Sequence, residues 1–201
     1  MPARPIRGRA ARWRWGISEG SAMKTKIDDC KAYWTEIVEK DYEDFKVKQG
    51  DLRAAFHCAI SLFHMADWLY KAKGLPYWQS QGMKFTDRTG ASIDVHDEKS
   101  FANAIATINP DFELVRGIAN SAKHFDLKQR GNHPSAPIAS ANTYSRKAAF
   151  DSSAFDESVF DATDEVMLEG PSGKDLLFLN IAKSVRGTFE KFCATHGVTL
   201  K

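Results

Sequence analysis

The chain has 201 residues, 43% of them hydrophobic and 27% charged, the composition of one globular domain with or without appendages and not of a disordered chain. No run of 18 apolar residues occurs, which excludes a membrane-spanning helix, and three cysteines without a CxxC pair or metal-type spacing exclude a disulfide scaffold and a zinc ribbon. The net charge of +2 hides an asymmetry: Arg4, Arg7, Arg9, Arg12 and Arg14 against Glu19 put +4 in residues 1–22 and leave −2 for the remainder, so the body lacks the broad basic footprint of a nucleic-acid binder.

Residues 1–22 hold no apolar core of a secretory signal. Their Arg12-Trp13-Arg14-Trp15 alternation suits base stacking or a membrane surface. The plainer reading is a basic tail or an upstream start, because foldable periodicity begins just after Met23, and one domain is expected over 23–201. From Ile27 the positions Cys30, Trp34, Ile37, Val38 and Phe45 keep a helical rhythm. Gly50 then reads as a C′ stop and Asp51 as the cap of a second helix over 51–73, with Leu52, Ala55, Phe56, Ala59, Leu62, Phe63, Ala66 and Leu69 on its apolar face. Gly74 and Pro76 end it. Asp87-Arg88-Thr89-Gly90 predicts a turn between short strands, and Asp97 caps a short helix carrying Phe101, Ala104, Ile105 and Ile108. Asn109-Pro110-Asp111 is a helix start, with the third main helix expected over 110–127. Residues 131–165 read as a loop-rich insertion with weak strands near 142–145 and 158–160. Segments 166–169 and 175–178 flank Gly170-Pro171-Ser172-Gly173 as a hairpin. Gly170 to Lys174 does not make a phosphate loop, because the glycine spacing is short and Asp175 follows the lysine. A last helix is expected over 179–195. The fold expected is mainly α: an antiparallel four-helix bundle with a small β-hairpin before the last helix. Cys30, Cys58 and Cys193 fall on apolar faces and read as buried thiols of a reducing cytoplasm.

Polar residues interrupt two helices at turn spacing. On the second these are His57, Ser61, His64 and Asp67; on the third Arg116, Asn120, Lys123 and His124 share an arc about 100° wide. If the two helices pack flank to flank, histidines, a carboxylate, an amide and two cations gather at one cleft. A histidine oriented by a carboxylate is a general base near neutral pH, and Arg or Lys offsets phosphate charge. Two His and an Asp also make a metal set, though without the Glu-x-x-His pairs of bundle metal sites, and no metal or other cofactor is expected. The structural alternatives stay open. His64 and Asp67 also read as a hydrogen-bonded pair that orients Trp68, His57 as a satisfied histidine, and Arg116 with Lys123 as a solvated face.

Val115-Arg116-Gly117-Ile118-Ala119-Asn120-Ser121-Ala122-Lys123-His124-Phe125 resembles the signature helix of the HEPN superfamily (higher eukaryote and prokaryote nucleotide-binding domains). The body is also similar to bacterial and phage helical proteins with an Ala-Asp-Trp helix, here Ala66-Asp67-Trp68, and a later Lys-His. The resemblance covers about 28–195. It implies a four-helix bundle, commonly a homodimer, of toxin–antitoxin and phage-defence systems, often a metal-independent ribonuclease. Its motif is an arginine, a polar residue, three variable residues and a histidine. Asn120 matches the polar position and His124 the histidine; Ala119 stands at the arginine position, with Arg116 one turn earlier. The resemblance therefore implies RNA cleavage by the neighbouring 2′-hydroxyl, with His124 moving the proton, Asn120 orienting it, Arg116 or Lys123 offsetting charge, and His64 with Asp67 in support. The other reading is a non-catalytic module that pairs with a protein partner or with itself.

Overall fold

The computed structural model describes residues 26–87, 89–122, 142–147, 163–170 and 173–200. The expected basic arm, the strand near 158–160, Lys123 and His124 all lie outside them.

The first helical rod begins where Asp29 accepts the Ala32 amide at 2.7 Å. It runs through α1 (Cys30–Tyr33), a π-helical turn (Trp34–Val38) and α2 (Glu39–Val47). Its buried stripe is Cys30, Trp34, Val38, Tyr42 and Phe45. Successive steps of four residues drift by about 40° each on an α-helix. The π turn, wound with more residues per turn, takes back part of that drift and keeps the stripe facing inward. The periodicity anticipated a helix here and not its π turn.

Asp51 caps α3 (Leu52–Lys73) by accepting from Arg53 N at 2.8 Å and Ala54 N at 3.4 Å. Gly50 is needed for a different reason from the one expected. Its φ is not left-handed, but a Cβ there would collide with Asp164, which lies against the turn, and Val166 N donates to Gln49 O at 2.8 Å. Gly74 does end α3 in the left-handed region, at φ 77°. The next helix starts at once: α4 (Leu75–Ser80) takes Pro76 into its first turn and buries Trp78. Strands β1 (Lys84–Thr86) and β2 (Ser92–Asp94) pair antiparallel. Asp87 knots their turn, accepting from Thr89 N at 2.9 Å, Thr89 Oγ1 at 2.7 Å and Ala91 N at 2.8 Å.

Helix α5 (Glu98–Ile108) opens with a capping box. Ser100 N donates to Asp97 Oδ1 at 2.6 Å, and the Ser100 hydroxyl accepts from Asp97 N at 2.8 Å. Asn109 then starts α6 (Asp111–Ser121), its Oδ1 accepting from Asp111 N at 3.0 Å. The same buried amide donates to Thr188 Oγ1 at 2.8 Å and Ser184 Oγ at 3.1 Å on the last helix. The expected extension of this helix to 127 passes beyond the described residues. Strands β3 (Thr143–Arg146), β4 (Glu165–Glu169) and β5 (Asp175–Leu177) form an antiparallel sheet with β4 central. Helix α7 (Phe178–Thr195) follows directly.

The described chain is thus mainly helical, with two small antiparallel sheets. No helix among the described residues is long and apolar enough to cross a membrane. One continuous core joins the helices. Trp78 packs on Phe101 and Phe192 with centroids 4.7 and 5.5 Å apart, and Phe112 meets Phe189 at 5.9 Å.

Candidate functional site

Helix α3 is the spine on which the expected polar groups are arranged. Its inward residues are Ala55, Ala59, Leu62, Ala66 and Leu69. At 100° per residue this leaves His57, His64 and Asp67 on the opposite arc. One flank of that arc faces α1: Tyr33 stacks on Trp68 with centroids 4.9 Å apart and planes 15° from parallel, and its hydroxyl donates to the Ser61 carbonyl at 3.1 Å. The other flank faces α6, where Phe63 meets Phe112 at 6.1 Å. Among the described residues, α3 and α6 share the most extensive helix–helix contact.

Between these flanks His64 Nδ1 lies 2.9 Å from Asp67 Oδ2, with the two side chains 35% and 29% exposed. Asp67 orients the ring from Nδ1, which leaves Nε2 as the nitrogen for another partner. The Phe63 ring packs on the His64 imidazole at 5.2 Å. This is a histidine positioned by a carboxylate, beside a stacked pair of half-buried aromatic rings.

The remainder of the expected α3 stripe divides. Ser61 is buried, and its hydroxyl donates to the Cys58 carbonyl at 3.1 Å. His57 is exposed and lines a separate polar cleft of about 110 Å³ with Asp41, Asp44, Lys48, Asp51 and Arg53. Burial raises the Asp41 carboxyl above its ordinary value, while the Ser61 hydroxyl and His57 pull it back. Among the described residues, no three His, Cys, Asp or Glu side chains are grouped to hold a metal ion.

On α6 the expected cation is used internally. Arg116 is 8% exposed. Its Nε donates to Glu113 Oε2 at 3.1 Å, its Nη2 pairs with Glu113 Oε1, and its Nη1 donates to Asn103 Oδ1 of α5 at 2.8 Å. The guanidinium therefore ties α6 to α5. A phosphate reaching it would have to displace a carboxylate that already satisfies two of its donors. Asn120 is half-buried on the last turn of α6. Lys123 and His124 lie outside the described residues, so the structure groups His64 with Asp67, and Arg116 with Glu113 and Asn103.

The Tyr33 and Trp68 stack was missed from the sequence. Trp68 was visible beside Asp67, but Tyr33 joins it from a helix more than thirty residues earlier, and no local spacing reports such a pair. The Asp41 and His57 cleft was missed for the same reason. Compared with known proteins, the chain matches no family model, no curated protein and no solved structure.

Proposed function

We propose that this chain is a HEPN-like antiparallel four-helix bundle that works as a non-catalytic interaction module, pairing with a protein partner or with a second copy of itself. Arg116 carries this reading. The resemblance implies RNA cleavage with a cation free to offset phosphate charge, and Ala119 stands at the motif position for arginine. The nearest arginine in the motif is buried and bonded to Glu113 and Asn103, as a structural ion pair is. The half-exposed Tyr33, Trp68, His64 and Asp67 surface offers aromatic area and a polar handle to a partner.

The test is labelled RNA incubated in EDTA with wild type and with His124→Ala. The expected result is the same background cleavage from both, together with a protein-concentration-dependent dimer by light scattering or a captured protein partner that Trp68→Ala weakens. Cleavage by the wild type that is lost in His124→Ala overturns the reading. It would favour the second one, an RNA-directed enzyme of a cytoplasmic phage-defence system. The His64 and Asp67 pair supports that alternative, since a carboxylate-oriented histidine is the form that general acid–base chemistry uses. In that case His64→Ala lowers the cleavage rate as well.

A further inference from the structure

The first and last helices run antiparallel, and their contacts set a register. Phe45 meets Phe178 with centroids 5.1 Å apart. Further along, Glu39 accepts two bonds from Arg186, both at 2.9 Å. Following that register toward the start of α1 leads up α7 to its C-terminal turns. A second route runs through α3. Tyr33 stacks on Trp68, so Cys30, one turn before Tyr33, lies level with the turn of α3 that follows Trp68, from Leu69 to Ala72. Lys73 Nζ donates to the Gly197 carbonyl at 3.2 Å, so Cys193, one turn before Gly197, also lies level with Leu69. Both routes place Cys30 and Cys193 in one layer.

Rotation about the helix axes agrees. Cys193 is two turns beyond Arg186 on the same side of α7. Cys30 is one turn before Trp34, whose ring lies 5.8 Å from the Arg186 guanidinium. Both thiols are buried. Ionising Cys30 is felt at Cys193, whose thiol it raises on top of the larger effect of burial. Cys58 sits elsewhere: eleven residues before Leu69 on α3 is roughly 16 Å along the axis, and its charged neighbour is Asp41.

We propose that Cys30 and Cys193 are a dithiol pair that closes into a disulfide, stapling the first helix to the last. This inference is independent of the proposed function. The oxidant is a low-molecular-weight disulfide such as oxidised glutathione. One cysteine thiolate attacks its S–S bond, forming a mixed disulfide and releasing one glutathione thiolate, which takes up a proton. The second cysteine, deprotonated, displaces the remaining glutathione and forms the Cys30–Cys193 bond. Two protein thiols are oxidised and one small disulfide is reduced to two thiols. Burial pushes the Cys30 and Cys193 thiols up to about 11 and about 12, and only the thiolate attacks. The folded protein therefore reacts slowly, and closure is fast only when the helix ends open or the chain is folding.

The test uses the full chain and a Cys58→Ser variant. Each is treated with a mixture of oxidised and reduced glutathione, once folded and once during refolding from denaturant. During refolding, free thiols of the wild type counted in denaturant are expected to fall from three to one, with a Cys30–Cys193 linked peptide in the unreduced digest of both proteins. The folded samples are expected to reach the same state more slowly. The linked form should melt higher than Cys193→Ser by roughly 5 °C or more, because the bond closes a long loop, about four-fifths of the chain. Three free thiols after both treatments, a link through Cys58, or mixed or intermolecular disulfides as the main products would each overturn the proposal.

Discussion

His196 closes α7 against an aromatic wall. Its ring lies 4.4 Å from Phe192 and 5.2 Å from Trp78, and Nδ1 is 3.2 Å from the Tyr77 hydroxyl. Burial, with the Lys73 ammonium second, holds its pKa below the ordinary histidine value. The folded state thus favours the neutral ring, and as pH falls the unfolded chain takes up its proton first. Stability from this group is complete above about pH 6.5 and is lost as pH falls through the lower, folded-state value. Wild type should lose more melting temperature than His196→Gln between about pH 7.5 and 5; equal losses would show that the titration of this ring adds nothing to the pH dependence. At the Gly50 turn the issue is space. Gly50→Ala must move Asp164 or the turn itself, an overpacking cost of about 1–3 kcal/mol in urea unfolding. Wild-type stability in that variant would mean that the 163–165 segment gives way freely.

Among the described elements, the α5 and α6 corner is held by polar side chains. Asn109 caps α6 and also bonds Ser184 and Thr188 of α7. Asn109→Ala removes the cap and the two bonds that tie it to α7, and about 2 kcal/mol of lost stability is expected from the two effects together. Arg116 ties α6 to α5. Arg116→Met removes the buried guanidinium from Glu113 and Asn103 and should cost about 3 kcal/mol, measured by denaturant unfolding. A smaller loss, near that of an exposed pair, would return Arg116 to the surface and to the phosphate role first expected of it. The helix caps were legible in the sequence because Asp51, Asp97 and Asn109 act within three residues of themselves. The π turn at Trp34–Val38 was not, because it answers to the core stripe and to α7 across it, and not to local propensity.

For the molecule as a whole, the apolar periodicity located the main helices, since a helix must turn its apolar residues to one side wherever it packs, while strands were expected near 142–145 and, from the turn residues at 170–173, over 166–169 and 175–178, where β3, β4 and β5 lie. The candidate site was less legible. That His64 and Asp67 are three residues apart on one helix was enough to expect their pairing. The partners that decide what such groups do come from elsewhere in the chain. Asn103 helps to take Arg116 out of service as a free cation, Tyr33 makes a stacked platform of Trp68, and Asp41 gives His57 a cleft of its own. Composition and spacing by themselves determined a mainly helical chain with capped helices and three buried thiols, because those features depend on a few neighbours in sequence. Only the tertiary structure decided that Arg116 turns inward to α5 and that Cys30 and Cys193 share a layer, because burial and register between distant helices are set by how whole faces pack.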